Sequence, residues 1–191
     1  LTQYTTFSTT FGFTTVYAAG IGASKADLGL LTTLFFGAFT AGSLATGPLM
    51  ERFGSRGTLV LGMTLLGLPT LLTPFTGALG LLAAVQVVTG VGRGVTQPAL
   101  MALAIQDADP AGRATAMGVY QALYAIGMFA GPPVSGAIAD AVGLPSVFVV
   151  AGAVCLAGGI WSLLGLPHRR AEAMPAPTAA EERARPDRPS L

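Results

Sequence analysis

The chain has 191 residues, of which 52% are hydrophobic and only 10% are charged, and its net charge is +1. Soluble domains usually carry about 25% charged residues, so this composition excludes an ordinary water-soluble domain. The small net charge removes any electrostatic case for nucleic-acid binding. The single cysteine, Cys155, excludes an internal disulfide bond.

Charged residues are unevenly placed along the chain. Residues 28–50, 114–139 and 145–167 contain none, and residues 58–106 contain only Arg93. Blocks of this length suit helices of about 20 residues, which cross a hydrocarbon core about 30 Å thick. Backbone groups in lipid must be paired within the segment, which favours helices. The sequence therefore predicts an all-α membrane protein, a bundle of six transmembrane helices over about residues 1–19, 28–50, 58–72, 78–106, 113–139 and 146–166.

The predicted loops assign a direction to these crossings. Alternate loops and the sequence after Pro167 contain the cations Arg52, Arg56, Arg113, Arg169 and Arg170. The remaining loops contain only Lys25. Short cytoplasmic loops are enriched in Lys and Arg, so we expect a multi-pass protein of the plasma membrane with both chain ends in the cytoplasm. Residues 168–191 are expected to form a disordered cytoplasmic tail, and no signal peptide is predicted at Leu1.

Polar residues follow one face of the first predicted helix. Gln3, Thr6, Thr10, Thr14 and Tyr17 recur every three or four residues and therefore share a face. Polar side chains at membrane depth commonly face a bundle interior or a water-filled cavity, so we predict that this face lines a cavity. The alternative is that the threonine hydroxyls bond to carbonyls of their own helix.

The fourth predicted helix carries a second polar stripe, formed by Gln86, Thr89, Arg93 and Gln97. Arg93 lies near the middle of this helix, where a charged residue costs about 2.5–3.5 kcal/mol on insertion scales. No acidic residue lies within any predicted helix core. Arg93 is therefore expected to face an aqueous cavity, helix carbonyls or a carboxylate outside this sequence. A purely structural arginine bonded to carbonyls is the alternative.

The fifth predicted helix combines Tyr124 near its start with small residues at steps of four, Gly127, Gly131 and Ser135. Small residues let apolar helices approach closely, so this stripe predicts a contact with another helix. Pro132 and the proline after it predict a kink. The third and sixth predicted helices are almost entirely apolar and are expected to face lipid.

Two motifs give the chain a resemblance to a known family. The segment after the second predicted helix reads GPLMERFGSRG over residues 47–57. It resembles the pattern G-x-L-x-D-R-x-G-x-R, which joins the second and third helices of each six-helix half in the major facilitator superfamily. The matching positions are Gly47, Leu49, Glu51, Arg52, Gly54 and Arg56, with Glu51 in place of Asp. The resemblance implies a cytoplasmic charge clasp that holds one access state, and a loop that only obeys the charge rule is the alternative.

The second motif lies in the fifth predicted helix and resembles the pattern G-x8-G-x3-G-P-x2-G-G of many exporters in that family. The matching positions are Gly118, Gly127, Gly131, Pro132 and Gly136, with Ser135 in place of one glycine. Family members usually have twelve helices in two related halves, so the chain resembles one half. Gln86 stands where the first half usually has an arginine, which favours the C-terminal half. A first half cut inside the central cytoplasmic loop is the alternative.

The resemblance implies a secondary active transporter that works by alternating access and exports a small organic or drug-like molecule with proton coupling. The candidates for its cavity are Gln3, Thr10, Arg93, Gln97 and Tyr124. The implied partners are the substrate, the lipid bilayer and the other six-helix half, and neither a cofactor nor a metal is expected. The aspartates of this sequence fall at predicted loops or in the tail, so the coupling carboxylate is expected in the other half.

Two other functions are compatible with six membrane helices. An intramembrane serine protease needs a nucleophile and a base within hydrogen-bond reach. The only histidine, His168, lies beyond the last predicted helix, which argues against an enzyme. A six-helix membrane protein that acts alone, as a homodimeric carrier or an assembly factor, stays open as the alternative function.

Overall fold

The computed structural model describes residues 2–165, and within this range it contains helices and no strand. The helices are α1 (Thr2–Gly20), α2 (Lys25–Leu72), a short 3-10 helix (Thr73–Phe75), α3 (Leu79–Ile105), α4 (Arg113–Val142) and α5 (Leu144–Gly165). The prediction of an all-α protein is confirmed. The predicted tail, including His168, lies outside the described residues.

The predicted loop at residues 51–57 was too wide, because the helix is interrupted there at a single residue. Gly54 has φ 69° and ψ 170°, and the residues on either side are helical. A side chain with a Cβ is strained at such a φ, whereas glycine adopts it freely. The predicted second and third helices therefore form one element, α2. We call residues 25–53 its first arm and residues 55–72 its second arm.

The chain reverses direction at Gly54. A Cβ placed on Gly42 in the first arm would lie 2.5 Å from the carbonyl oxygen of Val91, and one placed on Gly62 in the second arm would lie 3.2 Å from that of Gly92. In one straight helix, residues 42 and 62 would be about 30 Å apart, yet here they contact neighbouring residues of α3. α2 is therefore a helical hairpin, and α3 packs against both of its arms.

Glycines on opposite faces of α3 permit this packing. A Cβ on Gly90 would lie 2.5 Å from the carbonyl oxygen of Phe35 in the first arm, and one on Gly92 would lie 2.5 Å from the carbonyl carbon of Leu65 in the second arm. Gly94 extends the contact with the first arm. Positions two residues apart differ by about 200° around a helix, so the two arms contact α3 from opposite sides.

The second arm of α2 also packs against α5 through a pair of glycines. A Cβ on Gly67 would lie 3.1 Å from the carbonyl oxygen of Gly152, and one on Gly152 would lie 2.8 Å from that of Gly67. Beside this pair, Cys155 is buried with its Sγ 3.9 Å from the Sδ of Met63. The second arm therefore has α3 on one side and α5 on another.

α1 packs mainly against α4 and α5, and Tyr17 fixes its C-terminal end. The Tyr17 hydroxyl lies 3.1 Å from the carbonyl oxygen of Pro74 and 3.2 Å from that of Thr76. The Tyr17 ring meets Phe148 edge-on, with 5.6 Å between the ring centroids. Tyr17 therefore ties α1 both to the turn between α2 and α3 and to α5.

Two other helix ends differ from the prediction for local reasons. α2 begins at residue 25 rather than 28, because Ser24 and Asp27 form a capping box in which the Asp27 carboxylate accepts a hydrogen bond of 2.9 Å from the Ser24 N–H. The predicted loop at residues 140–145 is reduced to one residue between α4 and α5, Gly143. Its φ of 97° lets the chain turn within a single residue, which a residue with a Cβ rarely permits.

Four helices of the described range are long and apolar enough to cross a membrane, namely α2 with the 3-10 turn after it, α3, α4 and α5. α2 counts once in that set although it folds back at Gly54. α1 has 19 residues but is rich in threonine and is not in the set. These apolar helices indicate an integral, multi-pass membrane protein, while the count of six crossings stays a prediction.

The packing of α3 against the first arm predicts a large difference between two glycine substitutions. Gly94→Ala should destabilise the fold, because the new methyl group would meet the backbone carbonyl of Phe39, and overpacking of this kind costs about 1–3 kcal/mol. Gly37→Ala is the control, since a Cβ there meets nothing within 4 Å. We expect a lower melting temperature in detergent for Gly94→Ala only. Equal melting temperatures would contradict the close approach of these helices.

Candidate functional site

The polar stripe of α3 lies between the two arms of α2. By helical periodicity, Gln86, Thr89, Arg93 and Gln97 fall within about 80° of one another around α3. The centre of the stripe is about 80° from the face of Gly90 and Gly94 and about 100° from Gly92. The stripe therefore occupies the flank of α3 that separates the two contacts with α2. Arg93 is 5% exposed, so its guanidinium lies inside the bundle at the middle of the helix.

Arg93 places a positive charge in a region without acidic side chains. The residue makes interactions within the structure, and its Nη1 atom is buried and makes no hydrogen bond to the described residues. Neither Asp nor Glu occurs in residues 58–106 or 114–139. A charged side chain at membrane depth is costly and commonly marks a functional site. Arg93 is the strongest single candidate in the described chain for contact with a negatively charged ligand.

The polar face of α1 is buried in this structure. The Thr10 hydroxyl donates to the carbonyl oxygen of Thr6 at 2.8 Å, and the Thr14 hydroxyl donates to that of Thr10 at 2.7 Å. The Thr6 hydroxyl instead donates to the carbonyl oxygen of Ala151 in α5, at 3.1 Å. This face therefore forms a contact between helices, with two hydroxyls bonded to their own helix. Its part in a substrate cavity stays a prediction.

Gln3 differs from the threonines on the same face. Its side chain is 1% exposed, and neither its Oε1 nor its Nε2 has a hydrogen-bond partner among the described residues. A buried amide that lacks its hydrogen bonds costs about 1–3 kcal/mol. Gln3 is therefore a candidate for binding a polar group that the described part of the chain does not supply.

A small polar pocket lies where α1, α2 and α3 meet. Its volume is about 10 Å³, which is close to the minimum that holds one water molecule. Its polar lining combines Thr14 and Thr15 of α1, Thr32 of α2 and Gln86 of α3. Thr32 was missed from the sequence because no polar stripe of the second predicted helix singled it out. The pocket therefore brings together the polar faces of α1 and α3, which the sequence predicted as two separate stripes.

The other predicted cavity residues occupy different packing groups. Gln97 on α3 and Tyr124 on α4 are both half-buried. α3 packs mainly against α2, whereas α1 packs mainly against α4 and α5. The shared role of these five residues in one cavity, Gln3, Thr10, Arg93, Gln97 and Tyr124, stays a prediction.

The basic segment at the tip of the α2 hairpin has its charges on the surface. Glu51 and Arg52 are exposed, and Arg56 is half-buried. The guanidinium of Arg52 lies 5.5 Å from the ring centroid of Phe53, within the range of a cation–π contact. No ion pair between described residues joins Glu51 to Arg52 or Arg56. The charge clasp that the resemblance implies stays a prediction.

The glycine motif of α4 divides into a buried part and an open part. Gly127, Gly131 and Ser135 are the buried residues of this helix, which packs mainly against α1. Gly118 and Gly136 have open space where a Cβ would lie. α4 continues without interruption through Pro132 and the next proline. The close contact of α4 therefore depends on the middle of the motif.

These features can be compared with known proteins. The sequence profile described as Major Facilitator Superfamily matches residues 1–189. The chain belongs to the Major Facilitator Superfamily. This membership identifies it as a member of a transporter family rather than as an enzyme. It also agrees with the helical, multi-pass fold described above.

Individual relatives within the superfamily are distant. A protein named "Probable anion transporter 4, chloroplastic" from Arabidopsis thaliana is 29% identical over 76% of the chain and 27% of its own length. A probable sulfoacetate transporter from Cupriavidus necator is 29% identical over 75% of the chain and 33% of its own length. The tetracenomycin C resistance and export protein of Streptomyces glaucescens is 26% identical over 80% of the chain and 28% of its own length. The matched segment is thus about a third or less of each relative.

The α4 motif contains both buried and open glycines, so the structure predicts that substitutions at these two kinds of position have different effects. Gly131→Leu should disturb the packing of α4, because Gly131 is buried and α4 packs mainly against α1, and should lower the yield of folded protein. Gly118→Leu is the matched control on the same helix, where a side chain has open space. The measurement is the monodisperse fraction on size-exclusion chromatography in mild detergent. Similar losses in both variants would show that the motif acts as a whole.

Proposed function

We propose that this chain forms a six-helix half of a secondary active transporter that works by alternating access. The single observation that carries the proposal is Arg93, a charged side chain buried at the centre of a helix long enough to cross the membrane. Membership of the Major Facilitator Superfamily supports the same conclusion. Burial of a charged side chain at membrane depth costs free energy, and an apolar residue would support the fold without that cost.

Six crossings follow if the α2 hairpin spans the membrane twice. The first arm contains 29 helical residues and the second 18, as counted from the bounds of α2 and the break at Gly54. The 18-residue second arm is about 27 Å long, and α1, with 19 residues, is about 28 Å long. Both lengths approach the hydrocarbon thickness of about 30 Å. Together with α3, α4 and α5, these segments supply the predicted bundle.

The direction of insertion follows from the charged loops. The tip of the hairpin carries Arg52 and Arg56, whereas the opposite end of the first arm carries only Lys25 as a cation, at the start of α2. The positive-inside rule therefore places the hairpin tip in the cytoplasm. We propose a plasma-membrane location with the sequence after α5 on the cytoplasmic side.

The orientation can be tested with cysteines that leave the charges unchanged. Phe53→Cys at the hairpin tip and Ala26→Cys at the start of α2 both replace exposed residues, in a background in which the buried Cys155 is replaced by Ser. In intact cells, a membrane-impermeant maleimide should label Ala26→Cys and leave Phe53→Cys unlabelled until the cells are opened. The reverse labelling pattern would contradict the proposed orientation.

The complete transporter is proposed to contain a second six-helix half. Twelve-helix members of this superfamily consist of two related halves with the substrate site between them. Gln86, at the position where an arginine typifies the first half, favours assignment of this chain to the C-terminal half. A homodimeric carrier made of two copies is the competing assembly. A measured mass of two copies, with transport activity in vesicles that contain only this chain, would favour that alternative.

The proposed substrate is a small organic molecule, and an anionic group on it would match Arg93. Relatives named as anion, sulfoacetate and tetracenomycin C transporters or exporters support this class. We propose export coupled to protons. The helices in residues 28–50, 58–106 and 114–139 carry neither Asp nor Glu, so the proton-binding carboxylate would belong to the other half.

Substitution of Arg93 tests the proposed site. In the complete transporter, Arg93→Ala should reduce transport at least about tenfold, because the site loses the charge that offsets the substrate anion. Arg93→Lys keeps the charge and should retain part of the activity. Transport into energised vesicles is compared at equal membrane levels, with organic anions and neutral drug-like compounds as substrates. Full activity of Arg93→Ala at normal membrane level would contradict this role.

A further inference from the structure

A crevice lies where α1, α4 and α5 meet, and the polar stripe of α3 does not contribute to it. Its volume is about 110 Å³. Its buried part is formed by Thr6, Ser135, Val147 and Ala151. The remaining lining consists of aliphatic side chains of α4 and α5, among them Val134, Val150 and Val154.

The two hydroxyls that the structure describes in the crevice both donate hydrogen bonds to backbone carbonyls. The Thr6 hydroxyl donates to the carbonyl oxygen of Ala151 at 3.1 Å. The Ser135 hydroxyl donates to the carbonyl oxygen of Gly131 at 2.7 Å. Apolar cavities of about 150 Å³ stay dry and bind apolar molecules of the size of benzene. The chemistry of this crevice therefore favours an apolar occupant over water or a polar solute.

The crevice lies well inside the ends of α4 and α5, which places it at the level of the hydrocarbon core. Ser135 lies two helical turns before the end of α4, and Ala151 lies two turns after the start of α5. Both residues are therefore about 10 Å from the ends of their helices, within a hydrocarbon core about 30 Å thick. Val134, Val150 and Val154 are exposed at the mouth. The mouth is thus surrounded by exposed aliphatic side chains of α4 and α5 at the depth of the lipid acyl chains.

We propose that this crevice binds the acyl chain of a membrane phospholipid. The buried floor and aliphatic walls suit a short run of methylene groups, each of which gains free energy from a fitted apolar surface. A helix of another protein is too wide for a crevice of about 110 Å³, because a helix with side chains is about 10–12 Å across. None of the described residues that line the crevice carries a charge that could select an anionic substrate. The proposal depends on membrane insertion and not on the transport function.

The test uses the full-length protein in phosphatidylcholine vesicles that contain a phosphatidylcholine with a diazirine in its acyl chain. After illumination, peptide mass spectrometry locates the lipid adducts. Val149 is the internal reference, because it neighbours Val150 on α5, is 40% exposed against 43% for Val150, and does not line the crevice. We expect adducts at Val150 and Val154 to exceed those at Val149 about tenfold.

Filling the crevice should remove this preference. Val150→Phe and Val154→Phe each place a ring where the acyl chain would lie, and each should reduce labelling of the remaining lining residues about tenfold. Val149→Phe is the matched control and should leave that labelling unchanged. Two filling variants are used because either one alone could perturb the packing of α4 and α5.

Three results would overturn the proposal. The first is equal labelling of Val149, Val150 and Val154, which would mean that the lipid contacts a plain helix surface. The second is labelling of the lining that both filling variants leave intact. The third is loss of lining labels when a water-soluble transport substrate is added, because the crevice would then belong to the substrate path. Failure of the Arg93 variants to alter transport would leave the lipid site unaffected.

Discussion

The close approach of helix backbones is the constraint on which the rest of this structure depends. Lipid is as apolar as leucine, so membrane helices associate through dispersion contacts and hydrogen bonds rather than through hydrophobic burial. α3 meets this requirement with Gly90 and Gly94 on one face and Gly92 on the opposite face. Because α2 contacts both faces, α3 cannot rotate without losing one contact. The glycines thereby fix the flank on which Arg93 lies.

Hydroxyl groups in the bundle are paired in a way that suits a membrane. Thr58, Thr70 and Ser135 each donate to a carbonyl one turn earlier in their own helix, which removes most of the cost of a polar group in an apolar environment. Thr6 connects α1 to α5, and Thr46 in the first arm lies 3.3 Å from the carbonyl oxygen of Gly94. A few hydroxyls thus connect two helices, whereas these three donate to a carbonyl oxygen of their own helix.

The polar and apolar openings of the bundle lie on different groups of helices and have different chemistry. The small pocket among α1, α2 and α3 has hydroxyl and amide groups and lies near the stripe of Arg93. The crevice among α1, α4 and α5 is aliphatic, and its hydroxyls are bonded to carbonyls. α1 borders both openings. Its polar face therefore meets two environments, which explains why Thr6 joins α5 whereas Thr14 lines the pocket.

The sequence by itself determined the class of the protein and most of its helix positions. Blocks without charge and about 20 residues long leave few alternatives to membrane helices, and Gly54 and Gly143 marked the turns. Only the tertiary structure decided that α3 is held by glycines on two faces and that the α1 stripe is buried against α4 and α5. The reason is physical: periodicity gives the direction of a side chain within its own helix. Which helix stands opposite depends on long-range packing, which no local pattern contains.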